Sequence, residues 1–333
     1  MKKLYLILFL CSLVFSCDIT KASCSDYTPA ACATANPLSG KTCVLLHNRC
    51  VDQISVAGNF QELEEINRRE KDSGFKDKSI FVDITANGGK EALKVMRNLK
   101  SEAGAKKCHF GVACFVNFSL GAANKSDRII VLDYDPVVIK FNRIARDLLI
   151  ISATPEEFKQ KLIKASEQDE EILTRNFYPK TKNPKLNIDN LGPILNIEES
   201  FLAKEENFKY IKKLAEEGKI HIIQGSIYDQ ELIKIISELA RKDECVFDTL
   251  FISNVYDWNV DENKRKLLAE NIKTISNNNT KIVEVVPNSQ HKSHVNIVYY
   301  EDPQSKELYD PLIMRGQKGV AKQRYPAAPL LVE

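Results

Sequence analysis

Four groups of residues in this chain of 333 residues have types and spacing that could do chemistry. Asp133 and Asp135 close the run Ile129-Ile130-Val131-Leu132 and precede Pro136. A carboxylate at the carboxyl end of a buried parallel strand can accept hydrogen bonds from ligand hydroxyls. The same acids before a proline can instead cap a helix, and both readings stay open. Asn254, Tyr256, Asp257 and Trp258 follow the run Asp248–Ser253 and are expected on the same edge of a sheet, where turn, cap and core-plug roles are the alternative. His291 and His294 form an HxxH without an obvious third ligand, and they read as loop histidines rather than a metal site. His109 and Cys114 lie five apart, but nothing in the sequence marks the thiol as activated, so both read as core residues. No GxxxxGK[ST], GxSxG or HExxH occurs.

Regular alternation of strand and helix patterns must position these groups. Ser79–Ile84 is a short β-rich run behind a charged linker, Gln61–Lys78, and Gly88-Gly89 opens a helical pattern through Leu99. His109–Ala113 reads as a strand, Phe115–Ala123 as a short helix, and Arg128–Asp133 as a strand covered on both faces. Helices are expected over Val137–Leu149, Pro155–Ser166, Phe201–Glu217, Gln230–Arg241 and Glu262–Ile275. Strands are expected at Lys219–Gln224, Asp248–Ser253 and Thr280–Val286, with Val295–Tyr300 as an antiparallel edge. Pro179, Pro184 and Pro193 make 168–198 an irregular insertion, and four prolines mark 302–333 as an irregular wrap. The expected fold is α/β: a doubly wound, mostly parallel sheet over residues 59–301.

The N-terminus points out of the cytoplasm. Lys2 and Lys3 precede about a dozen apolar residues, the layout of a secretory signal. Two processing patterns compete: Thr20-Lys21-Ala22, which gives a signal peptide over 1–22, and the lipobox-like Val14-Phe15-Ser16-Cys17, which gives a lipoprotein signal over 1–16 and a lipid on Cys17. Cys24, Cys32, Cys43 and Cys50 crowd a Pro- and Ser-rich stretch, residues 23–58, that has little periodicity and calls for disulfide closure; their pairing is open. Cys108, Cys114 and Cys245 read as small core residues, with a Cys108–Cys114 pair as the alternative. Export is therefore expected, whether secreted, periplasmic or anchored at the envelope. Net charge is +2, and removal of a 22-residue leader leaves a neutral body, which argues against broad phosphate neutralisation and hence against a nucleic-acid binder.

From about Cys108 to Tyr300 the order of parts resembles a class I S-adenosylmethionine-dependent methyltransferase core of Rossmann-like type. The resemblance rests on His109–Ala123, on Ile129–Pro136, on Ile222-Ile223-Gln224-Gly225-Ser226 and on Phe247–Trp258. It implies a cofactor, S-adenosylmethionine, held by Gly111, Ala113 and Asn117 in the first loop, by Asp133 at the ribose with Asp135 in reserve, and by Gly225 and Ser226 beside the adenine. It also implies that Asn254, Tyr256 and Asp257 flank the methyl-transfer centre. The first loop departs from the family's pattern in carrying one glycine, and Ser226 stands where an acid often follows. Two readings follow: an enzyme that moves a methyl group to an unnamed acceptor, or a non-catalytic exported or surface-anchored module that uses the same cleft for a nucleoside-like ligand.

Overall fold

The computed structural model describes residues 43–46, 49–52, 58–65, 79–81, 93, 105–178, 191, 195–196, 200–253, 255, 261–277, 279–287 and 293–299. Within them lie β1 (Cys43–Leu46), β2 (Arg49–Asp52), α1 (Phe60–Glu65), β3 (Ser79–Phe81), β4 (Lys106–Val112), α2 (Val116–Asn124), β5 (Arg128–Asp133), α3 (Pro136–Ile151), α4 (Pro155–Glu167), α5 (Glu170–Leu173) and β6 (Asn176–Tyr178). They continue with α6 (Glu205–Glu216), β7 (Ile220–Gln224), α7 (Gln230–Lys242), β8 (Cys245–Ser253), α8 (Glu262–Ile275), β9 (Lys281–Pro287) and β10 (Ser293–Tyr299).

Six strands form one sheet in the order β10-β9-β8-β4-β5-β7. The five from β9 to β7 are parallel, and only β10 runs antiparallel, against β9. Taken in sequence from β4, the parallel strands have the spatial order 3-2-1-4-5, which is the doubly wound order, with its switch point between β4 and β8. The doubly wound, mostly parallel α/β fold expected from the sequence is the fold observed.

The register explains why β5 reads so plainly. Ile129 and Val131 face one layer while Ile130 and Leu132 face the other, so a continuous β-branched and Leu run satisfies both faces at once. One layer is built on aromatics: Phe115 stacks on Phe118 and Phe141 and meets Phe201 edge-on. The other takes Leu232 and Ile236 of α7, Leu268 and Ile272 of α8, and Phe60 and Leu63 of α1. Helix entries carry the expected chemistry. Asp135, Thr154, Asp229 and Asp261 each accept a backbone N–H of the first turn, with proline following the first two.

Four features differ from the sequence expectation. Cys108 and Cys245 do not sit as separate core residues: they form a disulfide across β4 and β8 with Cα atoms 5.6 Å apart, while Cys114 stays free and buried. Their separation of 137 residues hides a neighbourhood that only sheet order creates. The stretch read as a charged linker begins with α1, which docks through Phe60 and Leu63. Residues 168–198 include α5 and a strand, β6, paired in parallel with β3, so part of that insertion is regular. The low-periodicity Cys-rich stretch likewise holds an antiparallel hairpin, β1–β2. The pairing of Cys24, Cys32, Cys43 and Cys50, the leader, the HxxH and the tail lie outside the described side chains.

Candidate functional site at the carboxyl rim

The residues nominated around Asp133 gather on one rim of the sheet. Gly111 of β4 pairs with Val131 of β5 on one side and Phe251 of β8 on the other. Asp133 and Ser253 each lie two residues farther along, so both strands end at the same level, with Val112 and Ala113 between them. Asp133 is paired with Gln224, which sets Gly225 and Ser226 beside it, and the Gly225 N–H donates to the Asp133 carbonyl at 2.8 Å. The turn after β7 also reaches the far side of the rim. Tyr228 donates its hydroxyl to the carbonyl of Val255 at 3.3 Å, so segments following β7 and β8 meet although β5 and β4 separate their strands. Asn254, Tyr256 and Asp257 flank that contact in sequence but lie outside the described residues.

Asp133 and Asp135, two residues apart, have different surroundings. Asp135 is buried and wholly engaged: it accepts the Val137 N–H at 2.8 Å and takes both ends of the Arg175 guanidinium, at 2.8 and 3.0 Å. Its charge serves the start of α3 and holds the end of the α5 segment against it. Asp133 has no cationic partner among the described residues. Its carboxylate accepts the backbone N–H of Asp135 at 2.9 Å and those of Ala113 and Tyr134, and it keeps partial access to solvent. Burial, with help from the charge of Asp135, pushes its pKa up to about 7 in spite of those hydrogen bonds. A carboxylate offers about four acceptor positions, and the described donors do not fill them all.

The first loop is held by a buried polar network. Asn117 is fully buried; its amide donates to the carbonyls of Val112 at 2.8 Å and Cys114 at 2.9 Å. That fixes its oxygen toward His109 Nε2, 3.0 Å away. Because the oxygen can only accept, His109 carries its proton on Nε2, and bare Nδ1 accepts from the Thr249 hydroxyl at 2.7 Å. Burial lowers the His109 pKa to about 4, so the ring is neutral. Gly111 is required by the same network: a Cβ there would lie 1.9 Å from the Asn117 oxygen. Ala113 takes φ 71°, a left-handed conformation rare for a residue with a side chain, which turns its N–H to Asp133 while its carbonyl accepts from Asn142 at 3.0 Å. Cys114 is buried with its thiol pKa raised by that burial, and neither ring nitrogen of His109 faces it. Gly225 gives room to Leu232, and the Ser226 hydroxyl accepts the Tyr228 N–H at 3.1 Å.

Sequence reasoning named Asn117 as a cofactor contact and passed over its role as the staple of the loop. It also missed Thr249 and Tyr228, whose partners lie 140 and 27 residues away. The only local signal was a polar His inside the apolar run His109–Val112.

Residues 94–190 and 195–309 match the family described as Domain of unknown function (DUF7790). The chain belongs to that family. A comparison with curated proteins finds no match. Among solved structures, the chain is similar to the glycopeptide N-methyltransferase MtfA complexed with S-adenosyl-L-methionine, at 10% identity over 66% of this chain and 69% of that one, with a TM-score of 0.28. It is also similar to the rRNA methyltransferase aviRa from Streptomyces viridochromogenes, at 11% identity over 70% of this chain and 89% of that one, with a TM-score of 0.32. For this member of the family, the strand order and the rim carry the argument.

Proposed function

We propose that the carboxyl rim binds a nucleoside through its ribose hydroxyls at Asp133, with S-adenosylmethionine as the first candidate. The observation that carries this reading is the contrast at the end of β5, where Asp135 is saturated by a helix and an arginine while Asp133 keeps an acceptor position and solvent access. The ribose end of S-adenosylmethionine fits this arrangement. In the enzyme form of the reading, Asn254, Tyr256 and Asp257 hold an acceptor in line with the sulfonium methyl, and catalysis is mostly positioning. The chain would then be an exported methyltransferase.

A second reading, a non-catalytic nucleoside-binding module, is favoured by the first loop. The hollow a Cβ would fill at Gly111 is taken by Asn117, so this glycine leaves no bare backbone for the amino-acid end of the cofactor. Titration calorimetry with S-adenosylmethionine, S-adenosylhomocysteine and adenosine decides. The enzyme form expects the first two to bind more tightly than adenosine, whereas the module expects adenosine to match them. Asp133→Ala should weaken each about 10- to 100-fold, the loss of a hydrogen bond to a charged acceptor. No heat from any of them up to millimolar ligand would retire both forms.

Export belongs to this proposal. The Cys108–Cys245 disulfide supports it, because such bonds persist in oxidising compartments. Mass spectrometry of the mature N-terminus separates a soluble start at Ser23 from diacylglycerol on Cys17.

A further inference from the structure

The opposite flank of the domain holds a second buried histidine with charged partners. His221 lies on β7, the outermost parallel strand, beneath α1. Its Nδ1 meets Glu64 of α1 at 3.0 Å, and its Nε2 meets the Arg128 guanidinium from β5. Phe60 of α1 stacks on the imidazole with centroids 4.9 Å apart, and the same ring lies 5.3 Å from the Arg128 guanidinium carbon. α1 thus seals ring and cation together. Arg146 of α3 pairs with Glu64 at 2.6 Å, and Arg143 donates to the Glu64 carbonyl at 2.7 Å. Lys242 of α7 donates to the Gly58 carbonyl at 2.7 Å, just ahead of the helix. Two further described carboxylates engage these arginines: Asp243, on Arg128 at 2.9 Å, and Asp147, on Arg146 at 3.2 Å.

The chemistry of these partners fixes the ring. A guanidinium only donates, so Nε2 must be bare, and the proton sits on Nδ1 and is donated to Glu64. A second proton would set N–H against N–H and add a fourth cation to Arg128, Arg143 and Arg146 in a space that Phe60 closes to water. Glu64 is the carboxylate on the ring and is already shared with Arg146, while Asp243 and Asp147 are engaged by Arg128 and Arg146.

We propose that α1 is an acid-released latch: docked while His221 is neutral, it lets go of β7 when the imidazole is protonated. Burial and the two arginines do hold the His221 pKa below its ordinary value, against the pull of Glu64. The sign follows by linkage. The undocked ring takes a proton near its ordinary pKa of about 6.5 and the docked ring only at lower pH, so docking is fully present above that pH and weakens as pH falls. Release uncovers His221 and the flank of β7, whose carbonyls at Ile220 and Ile222 stay covered by Arg146 and Arg143.

Hydrogen exchange of the full chain, corrected for the intrinsic pH dependence of exchange, tests the latch. Opening of residues 58–65 should rise about tenfold from pH 7.5 to 5.5, one proton's worth of linkage, while the α3 peptide 137–149 does not change. His221→Gln keeps a donor for Glu64 and an acceptor for Arg128 with nothing to titrate, and its opening should be flat with pH. A flat wild type, or an equal acid response in His221→Gln, overturns the proposal. Nitrogen chemical shifts of labelled histidine in the wild type test it independently of any variant. They should report an Nδ1–H ring for His221 at pH 7.5, and an Nε2–H ring there overturns it.

Discussion

The centre of the sheet and its β7 flank each bury a histidine with two partners, and they are built for different ends. At the centre, His109 lies between an amide and a hydroxyl, beside a covalent bridge from β4 to β8. At the flank, His221 lies between a carboxylate and a guanidinium beneath a helix of six residues. Neutral partners leave no charge to move, so the central network fixes one shape for the first loop. Charged partners make the flank depend on the protonation of a single ring. Burial alone does not separate a strut from a switch; the charge of the partners does.

The largest expected effect removes the covalent part of the centre. Replacing Cys108 and Cys245 together with alanine gives up a cross-link over 137 residues, worth about 5 kcal/mol in the chain-entropy account. Urea unfolding should show that loss equally at pH 5.5 and 7.5. If the loss disappears at one of those pH values, the cross-link does not act independently of protonation. Next comes Asn117→Ala, which leaves the His109 N–H without its acceptor and takes the amide donor from the carbonyls of Val112 and Cys114 in a dry site, although the Cys114 carbonyl keeps the backbone N–H of residue 117 at 3.0 Å. A loss of about 3 kcal/mol is expected, with release of 58–65 unaffected. A variant that loosened α1 as much as the loop would erase the distinction between the regions.

The centre also carries two opposed titrations. His109 has a pKa of about 4 when folded against about 6.5 when unfolded, so its contribution is complete above pH 6.5 and is lost as pH falls toward 4. Asp133 is raised from 3.8 to about 7, so its contribution is complete below pH 3.8 and is lost as pH rises through 7. Between about pH 4 and 6.5 the two slopes cancel. Asp133→Asn removes one of them, and its stability should climb with pH by about 1 kcal/mol per unit more steeply than that of the wild type. Parallel stability curves for the two proteins would mean that the rim carboxyl titrates normally.

How far the sequence reaches differs between these regions for a physical reason. Arg128–Asp133 and Glu262–Ile275 are read to the residue because pattern and ends are local: a two-faced apolar run stopped by an acid, and an amphipathic stretch behind Asp261. The strand-and-helix order follows from the same signals. What joins distant strands leaves no local mark. Neither Cys245 nor Thr249 can be assigned to β4 before the sheet order is known, and α1, with two buried apolar residues in six, is too short to show a period. At the rim, the sequence put Asp133 first with Asp135 in reserve but left capping and ligand contact open for both, because an acid before a proline looks the same whether a helix or a ligand claims it. Arg175, forty residues on, separates them.

The smallest effect sharpens the centre from within. Ala113 holds φ 71° because its N–H serves Asp133 and its carbonyl serves Asn142, not because alanine favours that conformation. Ala113→Gly removes strain of about 1 kcal/mol but adds freedom to the unfolded chain worth roughly 0.5 to 1 kcal/mol. The net should lie within about 0.5 kcal/mol of zero on the stabilising side. Thermal melting detects it as a shift of about a degree upward. A clear destabilisation would mean that the alanine methyl packs in the loop and that the two hydrogen bonds do not by themselves hold the turn. A neutral or slightly stabilised variant that binds the nucleoside as well as the wild type would leave Asn117, and not the residue at position 113, as the part that shapes the first loop.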